Sequence, residues 1–160
     1  ELLERFSENT SNEDSLVKII TQAYRKGDQF LKENDQKDIS VLILTGGWIE
    51  ALYFATDVAT KTKNPDIYQR IAEQKNTLNS LISILKEYKS SDSFDNLISG
   101  MEKLKAAFDN VQSSYEYIEP VTDEGKRLTT FKNKSSAQID DSTLAEITKQ
   151  VQEIRNEIVK

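Results

Sequence analysis

Glu50 and Asp57 stand seven residues apart, with Tyr53 between them, in the stretch VLILTGGWIEALYFATDVA. On a helix that spacing puts both carboxylates on one face, about 10 Å apart along the axis. Paired carboxylates are the acid–base groups of many hydrolases. Two acids on the outer face of one helix are more often simply solvated, and that is the reading the sequence favours. Just upstream, Gly46-Gly47 follows the apolar run Val41-Leu42-Ile43-Leu44, the order in which a strand, a phosphate loop and a helix begin. Residues 46 to 50, Gly-Gly-Trp-Ile-Glu, fail that test. A dinucleotide fold needs three spaced glycines, and a phosphate loop needs a Lys followed by Ser or Thr. Further strands at βαβ spacing are also missing.

The other chemistry-bearing residues are sparse. Asp92, Asp95, Asp123, Glu124, Asp140 and Asp141 are acids in loops or at helix starts, but they form no calcium-loop pattern, and Phe94 stands where such a loop would need a ligand. Capping explains Asp140 and Asp141 more economically. With no Cys and no His, disulfide frameworks, thiolate or imidazole metal sites, Cys nucleophiles and His-based triads are excluded. Neither a cofactor nor a metal is expected. The 160 residues carry a net charge of -6, so a nucleic-acid surface would be a local exception to an acidic field. Lys126, Arg127, Lys132 and Lys134 are the one basic cluster, read as a solvated loop.

The elements that position these residues follow from apolar spacing, which alternates steps of three and four through most of the chain and therefore signals helix. Leu16, Ile20, Ala23, Gly27 and Phe30 form one stripe behind a Ser11 or Asn12 cap, predicting a helix over roughly 12–34 after a leading turn at Leu2, Leu3 and Phe6. A second helix begins near Asp38 or Ser40 and runs to about Lys61, with Val41, Leu44, Trp48, Leu52, Ala55 and Ala59 on one face. On that helix Gly47, Ala51, Ala55 and Ala59 make a strip of small residues. Two interior glycines cost on the order of 2 kcal/mol, so close packing by a second helix, or contact with a ligand or partner, is expected to offset them. Glu50 and Asp57 interrupt the apolar run short of the ~20 residues a membrane span requires.

Asn64-Pro65 opens a third helix, about 65–89, on Ile67, Ile71, Gln74, Leu78, Leu81, Leu85 and Tyr88. After the loop SSDS, Leu97, Met101, Leu104, Phe108, Val111, Tyr115 and Ile118 predict a fourth helix that stops before Pro120. The last helix follows Asp140 to Ser142 on Leu144, Ile147, Val151, Ile154 and Ile158. Periodicity fails between about 119 and 139. There, extended pieces at Tyr117-Ile118 and Leu128 to Phe131, turning at Asp123-Glu124-Gly125, suggest a small hairpin, with an irregular loop as the alternative.

The expectation is an all-α protein in one domain, 1–160: an antiparallel up-down bundle of four to five main helices with a small β-hairpin or irregular insertion near 119–139. A solenoid is less favoured, because no internal repeat is visible. Trp48, Tyr53, Phe54 and Tyr68 fall near one helix pair, where core packing competes with a pocket or a protein-binding patch.

VLILTGGWIEALYFATDVA, NPDIYQRIAEQKNTLNSLISIL and the C-terminal ITKQVQEIRNEIVK resemble the helical region of a group of uncharacterised secreted or lipid-anchored envelope proteins of Bacteroidetes-type bacteria, over about residues 30–160. That resemblance implies an all-helical domain outside the cytoplasm, in the periplasm or at the outer membrane. It assigns no catalytic residue. The start at Glu1, with Met101 the single Met, fits an upstream signal or lipid-attachment segment removed from this chain. The functional expectation is a non-enzymatic domain that binds an unidentified protein or small ligand, with Gly46, Gly47, Trp48, Glu50 and Tyr53 as its contact residues. The alternative is a small-molecule sensor or carrier with a pocket between helices near Trp48 and Tyr53.

Overall fold

The computed structural model describes residues 2–159, and they are mostly helical. A seven-residue α1 (Leu2–Glu8) precedes six longer helices: α2 (Glu13–Glu33), α3 (Lys37–Thr62), α4 (Pro65–Ala72), α5 (Lys75–Glu87), α6 (Ser93–Phe108) and α7 (Asp141–Ile158). Between α6 and α7 lie β1 (Gln112–Glu116), β2 (Val121–Asp123), β3 (Leu128–Thr130) and β4 (Lys134–Gln138). Contacts gather into two compact units, residues 1–44 and 45–160.

In the first unit, Asn12 caps α2 by accepting a hydrogen bond from the Ser15 N–H at 3.0 Å. The helix ends where Asp35 turns left-handed, with φ of 58°, the place where glycine is commonest. Arg5 of α1 donates to the Gln22 side chain at 2.9 Å, holding α1 on the polar side of α2. Among the described residues of this unit, only Ile19 and Val41 are buried apolar side chains.

In the second unit, α6 packs against both α5 and α7. The core is made by Leu78, Leu81 and Leu85 on α5, Met101, Leu104 and Phe108 on α6, and Leu144, Ile147, Val151 and Ile154 on α7. Gly100 is the glycine that close packing requires. A β-carbon there would lie 2.9 Å from Ile154 Cγ1, so α6 reaches α7 only without one. From α3 the buried positions are Thr45, Ile49, Leu52, Thr56 and Ala59. This corrects the expected stripe, since Leu44 is exposed and Trp48 and Ala55 are half-buried. α3 is apolar around most of its circumference, so hydropathy could not select the buried face, and two of the deepest positions are threonines.

α3 also bears on a second expectation, that Glu50 and Asp57 cut the apolar run short of a membrane span. At 26 residues it is long and apolar enough, by length and composition, to cross a membrane, although only 28% of its most apolar 18-residue stretch is buried in the fold. One or two acids do not disqualify such a helix on composition alone.

The expected third helix is two. Asn64 caps α4 through the Asp66 N–H, with Pro65 in the first turn. At Gln74 the backbone N–H donates to Ile71 O at 3.0 Å. The Gln74 side-chain amide instead reaches the Arg70 carbonyl at 3.3 Å, which an unbroken helix would pair with the Gln74 N–H. The apolar phase survives the break, and Ile71, Leu78, Leu81 and Leu85 are all buried.

The expected fourth helix stops early, at Phe108, and residues 112–116 are strand. Asp109-Asn110 compete with helical backbone pairing, and beyond Val111 every residue to Tyr117 is exposed, so no core rewards a helix there. β1 and β4 form one antiparallel pair and β2 and β3 another. Ser114 faces Ser136 with their hydroxyls 2.8 Å apart, and Glu116 faces Lys134 at 3.6 Å. Antiparallel pairing near 119–139 is therefore present, but Tyr117 and Ile118 lie between β1 and β2 rather than in a strand, and Asp123, expected in the turn, pairs with Leu128. The turn is closed by Arg127, at φ 51°, rather than by Gly125.

Candidate functional site

Successive helical residues are about 100° apart, so Trp48 and Glu50 point to opposite sides of α3. Trp48 faces α4 and the break after it, where its indole N–H donates to Gln74 Oε1 at 3.1 Å. This bond fixes the one polar member of the α4–α5 stripe and lies beside an open-sided groove of about 220 Å³. The groove has Ala51, Leu52, Ala55 and Ile71 as its apolar lining and Trp48, Gln74 and Arg70 as its polar or amphipathic members. Arg70 is largely exposed and pairs with Glu73 at 3.1 Å.

Glu50 and Tyr53, three residues apart, share the side facing α7. Arg155 donates two hydrogen bonds to the Glu50 carboxylate, Nε to Oε2 at 2.6 Å and Nη2 to Oε1 at 3.0 Å, the fork geometry that guanidinium matches best. The Arg155 guanidinium carbon also lies 4.6 Å from the centre of the Tyr53 ring. Tyr53 in turn meets Phe54 edge-on, with ring centres 5.7 Å apart. The Arg155 hydrogen bonds hold the Glu50 carboxyl below the ordinary carboxylate range and push Arg155 further up. Glu50 is thus an ionised anchor at neutral pH. Asp57 pairs separately with Lys61 at 2.7 Å, so each carboxylate has its own cation.

A third cluster joins the end of α3 to the start of α7. The Tyr68 hydroxyl donates to Asp141 Oδ1 at 2.7 Å, and Lys63 approaches Asp141 Oδ2 at 3.2 Å. These bonds lower Asp141 and, through the same hydrogen bond, raise Tyr68. Asp140, by contrast, is the cap: its carboxylate accepts from the Thr143 N–H at 2.7 Å and from the Ser142 hydroxyl at 2.8 Å. Those bonds pull its pKa down to about 2.

Gly46 and Gly47 do not do what their sequence suggested. A β-carbon on either would meet nothing within 4 Å, which overturns close packing as their reason. The strip Gly47, Ala51, Ala55, Ala59 is exposed at its first two members and buried only at Ala59. Nor do the aromatics gather into one patch. Trp48 lines the groove, Tyr53 and Phe54 pair beside Arg155, and Tyr68 sits on Asp141. A pocket holding both Trp48 and Tyr53 is not formed, because their positions on α3 diverge by about 140°.

Sequence reasoning missed Arg155, Arg70 and Ile71 as site residues. Gln74 did carry a signal, as the single polar residue in an otherwise apolar stripe. Arg155 carried none, since its partner is 105 positions away. Among the described residues no group of three or more Asp, Glu, Cys or His is placed to hold a metal ion. No protein family, curated protein or solved structure matches this chain.

Proposed function

We propose that this chain is a non-enzymatic helical-bundle domain that binds a protein segment, an amphipathic helix, along the α3–α4 groove. Its helices from α3 onward are read as an antiparallel up-down bundle. Glu50 on Arg155 and Lys63 on Asp141 support this, because positions rise along α3 as they fall along α7.

The observation that carries the reading is the uncovered apolar surface beside the groove. Gly47, Ala51, Phe54 and Val58 are exposed at helical spacing, although Phe54 and Val58 are large apolar side chains. Next to them, Ala51 and Ala55 keep the groove floor low, which suits a helix laid across it with anchors at i, i+3 and i+4. Arg70 at the rim favours an acidic flank on that helix. The groove is open-sided and its 220 Å³ falls below the ~300–1,000 Å³ of typical small-molecule sites, which weighs against the sensor or carrier reading.

Trp48 is the only tryptophan, so its emission reports the groove directly. Titration with synthetic amphipathic helical peptides bearing acidic or basic flanks should shift that emission, with acidic flanks binding tighter. Ala55→Glu and Arg70→Glu should each weaken binding by tenfold or more. If no peptide moves the emission, or if both variants bind as wild type does, the groove is not the binding site. The same proposal places the domain outside the cytoplasm, on the resemblance of residues 41–59 and 64–85 to envelope proteins. A signal peptide with a lipid-modified Cys upstream in the gene is the expected outcome, and a cytoplasmic initiator start would overturn it.

A further inference from the structure

α3 crosses from one compact unit to the other between Leu44 and Thr45, and Gly46-Gly47 follows directly. The cover of the helix changes at the same place. From 37 to 44 only Val41 is buried, whereas Thr45, Ile49, Leu52, Thr56 and Ala59 give the rest of the helix a buried position on every turn. Nothing in the straight helix uses the two glycines. A β-carbon on either meets nothing within 4 Å, and neither has the positive φ that favours glycine. Glycine is the weakest helix former short of proline, and sharp bends gather at glycines and where a side chain inserts into the backbone ladder.

Thr45 supplies an independent observation. It is fully buried, yet its hydroxyl has no hydrogen-bond partner. Elsewhere in the same helix the Thr56, Thr60 and Thr62 hydroxyls each donate to a carbonyl three or four residues back. An unpaired buried hydroxyl destabilises the conformation that leaves it so. In an unbroken helix the Leu42 carbonyl is taken by the Gly46 N–H and the Ile43 carbonyl by the Gly47 N–H. Opening those two bonds frees the Leu42 carbonyl for Thr45, the same three-residue step by which Thr56 reaches the Tyr53 carbonyl at 2.9 Å. The released N–H groups meet water, because Gly47 is exposed and Gly46 half-buried. Glycines and threonine therefore favour the same local change.

We infer that α3 is hinged at Thr45-Gly46-Gly47, exchanging between the straight helix and one bent there, with the Thr45 hydroxyl on the Leu42 carbonyl and residues 1–44 moving as a unit about this point. The hinge does not depend on what the groove binds. Because the chain contains no Cys, nitroxides on Lys37→Cys and Lys61→Cys, both exposed and both on α3, measure it by double electron–electron resonance. A straight helix separates these positions by about 36 Å, and a bend of about 60° at the glycines removes about 5 Å. Wild type should show both populations. Gly46→Ala/Gly47→Ala has room for both β-carbons, and it should reduce the short population on the order of 30-fold. Thr45→Val keeps the shape of the buried side chain and removes the hydroxyl, so it should reduce the short population about fivefold with helical circular dichroism unchanged. The Trp48 amide should exchange with solvent about tenfold more slowly in the double alanine variant. A single population at about 36 Å in wild type, a short population that survives the double alanine change, or one undiminished in Thr45→Val would each overturn the inference.

Discussion

α2 and α7 carry the same kind of sequence, an apolar stripe at alternating steps of three and four behind a capping Asn or Asp, and they meet opposite fates. On α7, Leu144, Ile147, Val151 and Ile154 are all buried. On α2, Ile20 and Phe30 stand exposed, and Ile19 is the single buried residue. A stripe tells which face of a helix prefers burial. It does not tell whether the chain contains the surface that will cover it. α7 finds α6, and Gly100 lets the two helices close to contact. α2 has no such counterpart among residues 1–44.

The largest effect that tests this contrast is in the core. Ile147→Ala should cost about 2–5 kcal/mol of unfolding free energy by urea titration, through lost burial and the cavity left behind. Ile20→Ala, at a side chain that is 43% exposed, should change stability by no more than about 0.5 kcal/mol. Comparable losses at both positions would mean that α2 is covered within the monomer.

Glycines give a smaller version of the same comparison. Gly100→Ala should lose about 1 kcal/mol, because overpacking against Ile154 costs roughly 1–3 kcal/mol and the gain in helix propensity returns about 1. Gly46→Ala and Gly47→Ala, where a β-carbon meets nothing, should each gain about 0.5–1 kcal/mol. A loss at Gly46 or Gly47 would point back to a packing role.

The smallest effect is at the α7 cap. Asp140 has a pKa near 2 in the folded chain against 3.8 ordinarily. A carboxyl whose pKa is lowered by folding stabilises the fold fully above 3.8 and loses that contribution as pH falls through about 2. Asp140→Asn keeps the hydrogen-bond acceptor and removes the charge. In thermal melts the advantage of wild type over Asp140→Asn should be flat near neutrality and shrink between pH 4 and pH 2. A pH-independent difference would assign the titration to another group.

Much of the architecture was legible because its signals are local. Asn12, Asn64-Pro65 and Asp140 mark helix starts by the hydrogen bonds their own side chains make, and Leu144 to Ile154 mark a buried face by spacing. Where the reading failed, the deciding interaction was distant or the local signal was ambiguous. Tyr115 and Ile118 continued a helical period that Asp109-Asn110 had already ended, and strand pairing with residues 134–138 claimed 112–116, Tyr115 included. Gln74 looked like a tolerated exception in one long helix. Its side chain instead takes the Arg70 carbonyl and the Trp48 indole, and the helix divides there.

Of the contact residues picked from sequence, Trp48 lies on the groove, Glu50 and Tyr53 lie together on Arg155, and Gly46 and Gly47 touch nothing that needs a glycine. Composition and periodicity by themselves determined that the chain is mostly helical, where most of its helices begin, and that imidazole and thiolate chemistry are absent. Only the tertiary structure decided which face of α3 is buried, since a helix apolar on nearly all sides has no preferred face until its neighbours choose one. It alone also decided that Glu50 belongs to Arg155 and that Gly100, rather than the glycine pair, marks the close approach, because such contacts depend on residues that no local spacing brings together.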